Sequence, residues 1–228
     1  MNHSPKPLER RLFVFLLTMC LTVGSQTLML AKTNRYPSSG TDPLDSSIVQ
    51  KPTDISPLLI GEPVPLASLP DVTGKMINLK EKLSQKPTIL IFYRGGWCPF
   101  CNKQLAGIQA IEGNLRTMGY QIIAISTDSP EYLAKTVNQE KLTYTLLSDS
   151  DLSVSKQFGI AYAAPANYEK ILQEGSKGKN VDKLLPVPSV FIVDTKGVIQ
   201  FEYINPDFKQ RISSAMLQSV AQALKKEL

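Results

Sequence analysis

At 228 residues, with 43% apolar and 20% charged side chains, the chain suits one domain of ordinary size plus a further segment, and this composition excludes disorder. The formal net charge of +5 comes without a long basic run, which excludes the cationic stripe of nucleic-acid-binding proteins. Three cysteines exclude a disulfide scaffold, and a single histidine, His3, leaves no Cys–His or Ser–His catalytic pair and no histidine-built metal site in the body of the chain.

The first 25 residues read as an export signal. Lys6, Arg10 and Arg11 precede an apolar run from Leu12 to Val23, and Val23-Gly24-Ser25 offers small residues for cleavage before Gln26. The stretch 12–31 is also close to membrane-spanning length, so an uncleaved N-terminal anchor and membrane tether stays open as the alternative. Cys20 reads as apolar filler in this run, because Met19 is too large for a lipid-attachment signal. Residues 26–57, rich in Ser, Thr, Pro and Asp, read as a flexible linker to a domain over 58–228.

Within the domain, Gly61–Leu66 is an extended lead-in, and Asp71–Leu79 reads as a hairpin turning at Thr73-Gly74. Thr88-Ile-Leu-Ile-Phe-Tyr93 is a continuous apolar run between Pro87 and Gly95, as expected of a central strand buried on both faces. From Cys98 to Met118, apolar residues at Leu105, Ile108, Ile111, Leu115 and Met118 mark an amphipathic helix. Tyr120–Ile125 is a second central strand. Ser129 reads as the cap of the next helix, with Pro130 in its first position. Thr143–Leu147 reads as a strand, and Asp151–Phe158 as a short helix closed by Gly159. Residues 161–186 show little strand character and read as an exposed excursion. Val190–Val193 and Val198–Tyr203 form a hairpin through Thr195-Lys-Gly197. Asp207–Leu228 reads as the last helix, with Ile212, Met216, Val220 and Leu224 on its apolar face. This alternation implies an α/β fold with a mainly parallel central sheet, made mixed by the last hairpin and flanked by helices.

The chemistry lies in Cys98-Pro99-Phe100-Cys101. A thiolate, not a thiol, attacks sulfur or peroxide oxygen, so a reactive cysteine needs a lowered pKa. Cys98 stands where a strand has ended and a helix begins, where free N–H groups and the helix dipole favour negative charge. Pro99 suits the first helical position, and Arg94 adds a positive charge nearby in sequence. Cys101, three residues on, shares a helix face with Cys98 and comes within reach of a Cys98–Cys101 disulfide. Cys98 is the expected exposed attacker and Cys101 the sheltered resolver. A bond closing so short a loop adds little stability, which favours a redox role over a structural one. Two thiolates without further ligands make no metal site. Trp97 is placed to shield the thiolate or simply to pack beside it. Gly95 and Gly96 let the backbone turn from strand to helix.

Tyr93-Arg-Gly-Gly-Trp-Cys-Pro-Phe-Cys-Asn102, with Ser126-Thr-Asp-Ser-Pro130 and Pro188-Ser-Val-Phe-Ile-Val-Asp-Thr-Lys-Gly197, resembles the peroxiredoxin-like branch of the alkyl hydroperoxide reductase/thiol-specific antioxidant family. The resemblance covers about residues 58–226 and implies the thioredoxin fold. It matches Cys98 to the family's peroxide-attacking cysteine and implies a thioredoxin-like reductant and no cofactor. Two positions depart from the family. Gly95 stands where Thr or Ser is typical, and Pro188 where an arginine is typical; those two groups hold and polarise the O–O bond. Trp-Cys-x-x-Cys and Pro188 instead resemble exported thiol–disulfide oxidoreductases, in which that proline is cis, so Val187–Pro188 is the bond expected to be cis. Three functions therefore stay open: a hydroperoxide-reducing enzyme, an oxidoreductase acting on protein disulfides, and a non-catalytic redox sensor or binding module. Export would place any of them in the periplasm or another extracytoplasmic space.

Overall fold

The computed structural model describes residues 48–228; the stretch read as an export signal, with Cys20 and residues 12–31, lies outside the described residues. The elements, in chain order, begin with a small antiparallel hairpin of β1 (Ser68–Pro70) and β2 (Met76–Asn78), then α1 (Leu79–Leu83). Next come β3 (Thr88–Tyr93), α2 (Pro99–Thr117), β4 (Gln121–Ser126), α3 (Pro130–Glu140), β5 (Thr145–Ser148) and α4 (Ser153–Gln157). The chain closes with β6 (Ala161–Ala163), α5 (Glu169–Gly175), β7 (Leu184–Pro186), β8 (Ser189–Val193), β9 (Ile199–Ile204) and α6 (Ser214–Leu224).

The central sheet has the order β5-β4-β3-β8-β9. β3 runs parallel to β4 and β4 to β5, whereas β8 is antiparallel to both β3 and β9, so the sheet is mixed as expected. All six residues of β3 are buried, because helices and hairpins cover both faces of the sheet. The alternation of side chains along a strand divides them between two cores. Leu90 and Phe92 join Phe158, Leu172 and Phe191 on one face, while Ile89, Ile91 and Tyr93 join Leu105, Ile108, Leu133 and Leu217 from α2, α3 and α6 on the other. This arrangement is the thioredoxin-type α/β fold.

Four expectations need correction. The segment 161–186 is not a solvated excursion: β6 and β7 pair antiparallel and α5 lies between them. Leu172, Leu184 and Leu185 are buried in the first core. Its glycines and lysines hid this, since Gly175 is buried while lysines such as Lys170, Lys179 and Lys183 stay exposed. The last helix starts at Ser214, capped by the Ser213 hydroxyl, which accepts from the Met216 N–H at 3.1 Å; residues 205–213 are irregular. Its buried residues are Leu217 and Ala221, and Met216 is 49% exposed, one position off the face assigned by periodicity. Finally, residues 48–57 are not free linker. The Val49 carbonyl accepts from the Ala163 N–H at 2.7 Å, and Val49 and Ile55 pack against the first core.

Candidate active site

β3 delivers the chain to the site at Tyr93. Arg94 follows, then Gly95 at φ +149°, a conformation that favours glycine. A Cβ at Gly95 would stand 2.3 Å from Trp97 Nε1, and one at Gly96 would stand 2.0 Å from Thr136 Oγ1. Both glycines are therefore required by close approach, and the Thr or Ser typical of the family has no room at position 95. The turn is tied down by three hydrogen bonds from other segments. The Gly96 N–H donates to Asp128 Oδ2 at 2.7 Å, Asn102 Nδ2 to the Gly96 carbonyl at 2.8 Å, and Thr127 Oγ1 to the Arg94 carbonyl at 3.0 Å.

Cys98 is the N-cap of α2, with extended dihedrals (φ −93°, ψ 113°), and Pro99 takes the first helical position. The Cys98 carbonyl accepts from the N–H groups of Cys101 and Asn102, each at 3.0 Å. The two cysteines are free thiols on one turn. One expectation fails here: Cys98 is 1% exposed, against 0% for Cys101, so the attacker is not an open surface thiol.

Beside that sulfur, aromatic rings form a cage around Arg94. The Arg94 guanidinium is buried and lies over Trp97 at 4.9 Å, Tyr168 at 4.5 Å and Phe208 at 4.2 Å from the ring centroids. Stacked guanidinium is weakly hydrated and tolerates such a place. Phe208 also meets Phe100 edge-on at 5.7 Å, and Trp97 meets Tyr168 at 5.3 Å. Within this cage Arg94 Nη1 is 3.9 Å from Cys98 Sγ. A second guanidinium serves the other sulfur: Arg211 Nη2 is 3.5 Å from Cys101 Sγ.

The electrostatics split the pair. The Cys101 thiol donates to the Cys98 sulfur and lowers the Cys98 pKa to about 6, against the opposing pull of burial; the Cys101 N–H, Arg94 and Arg211 add to the lowering. Burial pushes the Cys101 thiol well above its ordinary range, and its bond to Cys98 raises it further. At neutral pH, Cys98 is thus mostly thiolate while Cys101 keeps its proton. Below the turn, burial pushes the Asp128 carboxyl up to about 6, and its Oδ1 has no partner, nor has Trp97 Nε1.

Cys98, Cys101, Arg94, Gly95, Gly96, Trp97 and Pro99 thus meet at one place. Pro188 is buried at the entry to β8; Ser189 pairs with Phe92, so the register carried one residue further sets Pro188 opposite Tyr93. Arg211, Gln104, Phe208 and Tyr168 escaped the sequence reading. The segment carrying Phe208 and Arg211 reads as the start of a helix, and nothing in its local pattern points to a sulfur more than a hundred residues away. Asp128 had a signal, since it lies within Ser126-Thr-Asp-Ser-Pro130.

The sequence matches the AhpC/TSA family over residues 60–202. It is 32% identical over 155 residues to peroxiredoxin Bcp of Escherichia coli K12, covering 68% of this chain and 90% of that protein. Among solved structures, peroxidoxin BcpB from Mycobacterium tuberculosis superposes with a TM-score of 0.59 at 24% identity, covering 74% of this chain and 97% of that one. Reduced Prx3 from Vibrio vulnificus superposes with a TM-score of 0.61 at 17% identity, covering 72% and 99%. Both structures share the fold of this chain.

Proposed function

The chain belongs to the AhpC/TSA family and is an oxidoreductase, and from this we propose that it reduces hydroperoxides through a sulfenate at Cys98 that Cys101 resolves. The Cys98 thiolate attacks the O–O bond of ROOH, takes one oxygen as S–OH and releases RO⁻, which leaves as ROH with a solvent proton. Cys101 then displaces hydroxide from Cys98, forming the Cys98–Cys101 disulfide and water. A thioredoxin-like dithiol reopens it by exchange.

One observation carries this reading: a thiolate-forming sulfur at a helix start, 1% exposed, with a buried guanidinium held among aromatic rings beside it. A small hydroperoxide fits such access better than the disulfide of a folded protein does. The guanidinium supplies the positive field that the oxygen atoms need as the bond breaks. A second reading, a protein thiol–disulfide oxidoreductase, is favoured by Gly95 and Pro188, which provide neither the hydroxyl nor the guanidinium of the family pattern.

Stopped-flow mixing of the reduced chain with hydrogen peroxide, followed by Trp97 fluorescence, separates them. The expected result is a fast phase first order in peroxide, absent in Cys98→Ser, and in Cys101→Ser a sulfenate that accumulates without disulfide. Slow reaction with peroxide alongside fast exchange with protein disulfides would establish the second reading instead. We further propose export, on the basic-then-apolar pattern of residues 6–23. The intact mass of the chain recovered from its native cell should then correspond to a start at Gln26; a start at Met1 would favour the tether.

A further inference from the structure

We propose that Arg211 is a catalytic residue of the resolving step, holding Cys101 as the thiolate that attacks the oxidised Cys98. This rests on the peroxidase reading above and goes beyond it, since Arg211 lies outside residues 60–202, the span that matches the family.

The two guanidiniums are not interchangeable. Arg94 Nη1 lies 3.9 Å from Cys98 Sγ, whereas Arg211 Nη2 lies 3.5 Å from Cys101 Sγ. Arg211 is also aimed by its other nitrogens. Its Nε donates to the Phe208 carbonyl at 2.7 Å, and its Nη1 donates to Gln104 Oε1 at 2.8 Å. Gln104 stands three residues after Cys101 on α2, on the same helix face, so helix and guanidinium are locked in register. Both anchors are neutral, and among the described residues Arg211 makes no ion pair with a carboxylate. A cation directed by neutral holders onto a fully buried sulfur is of use when that sulfur becomes an anion.

The reaction has one such moment. In the reduced enzyme the Cys101 thiol donates to the Cys98 thiolate, and its proton stays where it is. Once Cys98 carries S–OH, that charged acceptor is gone. Resolution then requires the Cys101 S–H bond to break. The new S–S bond forms as the Cys98 S–O bond breaks, and the released proton joins the departing hydroxide as water. Burial opposes the Cys101 thiolate; Arg211 is the cationic side chain at its sulfur that offsets this, beside the Arg94 backbone N–H. Arg94, bound into the aromatic cage, remains with Cys98.

The test uses the full reduced chain and hydrogen peroxide. Trp97 fluorescence reports a first phase that depends on peroxide and a second that does not; product masses assign them to sulfenate and disulfide. In Arg211→Met the ratio of second-phase to first-phase rate falls about tenfold at pH 7. It recovers as pH rises, because bulk hydroxide removes the Cys101 proton instead. Arg211→Lys restores part of the loss, keeping the charge without the fork. Gln104→Leu, which releases the inner anchor, moves the second-phase pH profile the same way by less. A second-phase profile that superposes on the parent's in Arg211→Met, or in Gln104→Leu should the first variant fail to fold, overturns the assignment. Equal slowing of both phases with an unmoved profile does so as well. Absence of the first phase in the parent chain would instead sink the peroxidase reading itself.

Discussion

A buried thiolate needs a positive neighbour, because burial alone drives a thiol pKa up. At Cys98 that need is met by the Cys101 thiol, by helix-end N–H groups and by Arg94, which together hold it at about 6. Arg94 has a second task if Gly95 and Pro188 cannot grip a peroxide. On the peroxidase reading proposed above, its guanidinium, 3.9 Å from Cys98 Sγ, would stand in for the hydroxyl and arginine of the family pattern. Position 95 cannot take the hydroxyl back, since Trp97 Nε1 fills the place of a Cβ. The rate of the peroxide step should rise with pH through a midpoint near 6, as thiol becomes thiolate, and fall away below it. In Arg94→Met that midpoint should move up by about one pH unit, the sign expected when a cation beside a thiolate is lost. The plateau above it should drop on the order of tenfold as the positive field on the O–O bond is removed. Stopped-flow rates between pH 4.5 and 9 read both effects, and an unmoved midpoint would take Arg94 away from the thiolate.

Each element can be judged by what its sequence pattern had to say. β3 and β4 are largely apolar runs rich in β-branched residues, and their burial on both faces follows from that composition. The 19-residue α2 shows its start in Pro99 and its face in a regular spacing of apolar side chains. The region 161–186 fails this kind of reading because its elements are very short, three residues each for β6 and β7. Such segments carry no periodicity, and their order comes from contacts with the first core. Leu172 on α5 tests this, being 1% exposed among Phe158, Leu185 and their neighbours in that core. Leu172→Ala should cost about 2–5 kcal/mol of stability, as for a buried leucine that leaves a cavity. Urea unfolding should show a lowered midpoint at unchanged slope. A loss below about 0.5 kcal/mol, the usual range for surface positions, would return the segment to solvent.

At the scale of the whole molecule, the site is a junction of separate stretches. The dithiol comes from the start of α2, Tyr168 from the turn before α5, and Phe208 and Arg211 from the irregular strand-to-helix connection ahead of α6. Those rings surround the guanidinium beside Cys98, which is itself 1% exposed. The amino-acid sequence by itself determined the reactive pair, its place at a helix start and the α/β frame. These depend on local rules: the i, i+3 spacing of Cys98 and Cys101, proline in the first turn, and apolar runs of strand or helix period. Only the tertiary structure decided that Cys98 is covered, that Arg94 turns inward, and that each sulfur has its own guanidinium. Those contacts join residues as far apart as the 110 positions between Arg211 and Cys101. They arise from how the helices stack on the sheet, which the period of any single segment does not encode.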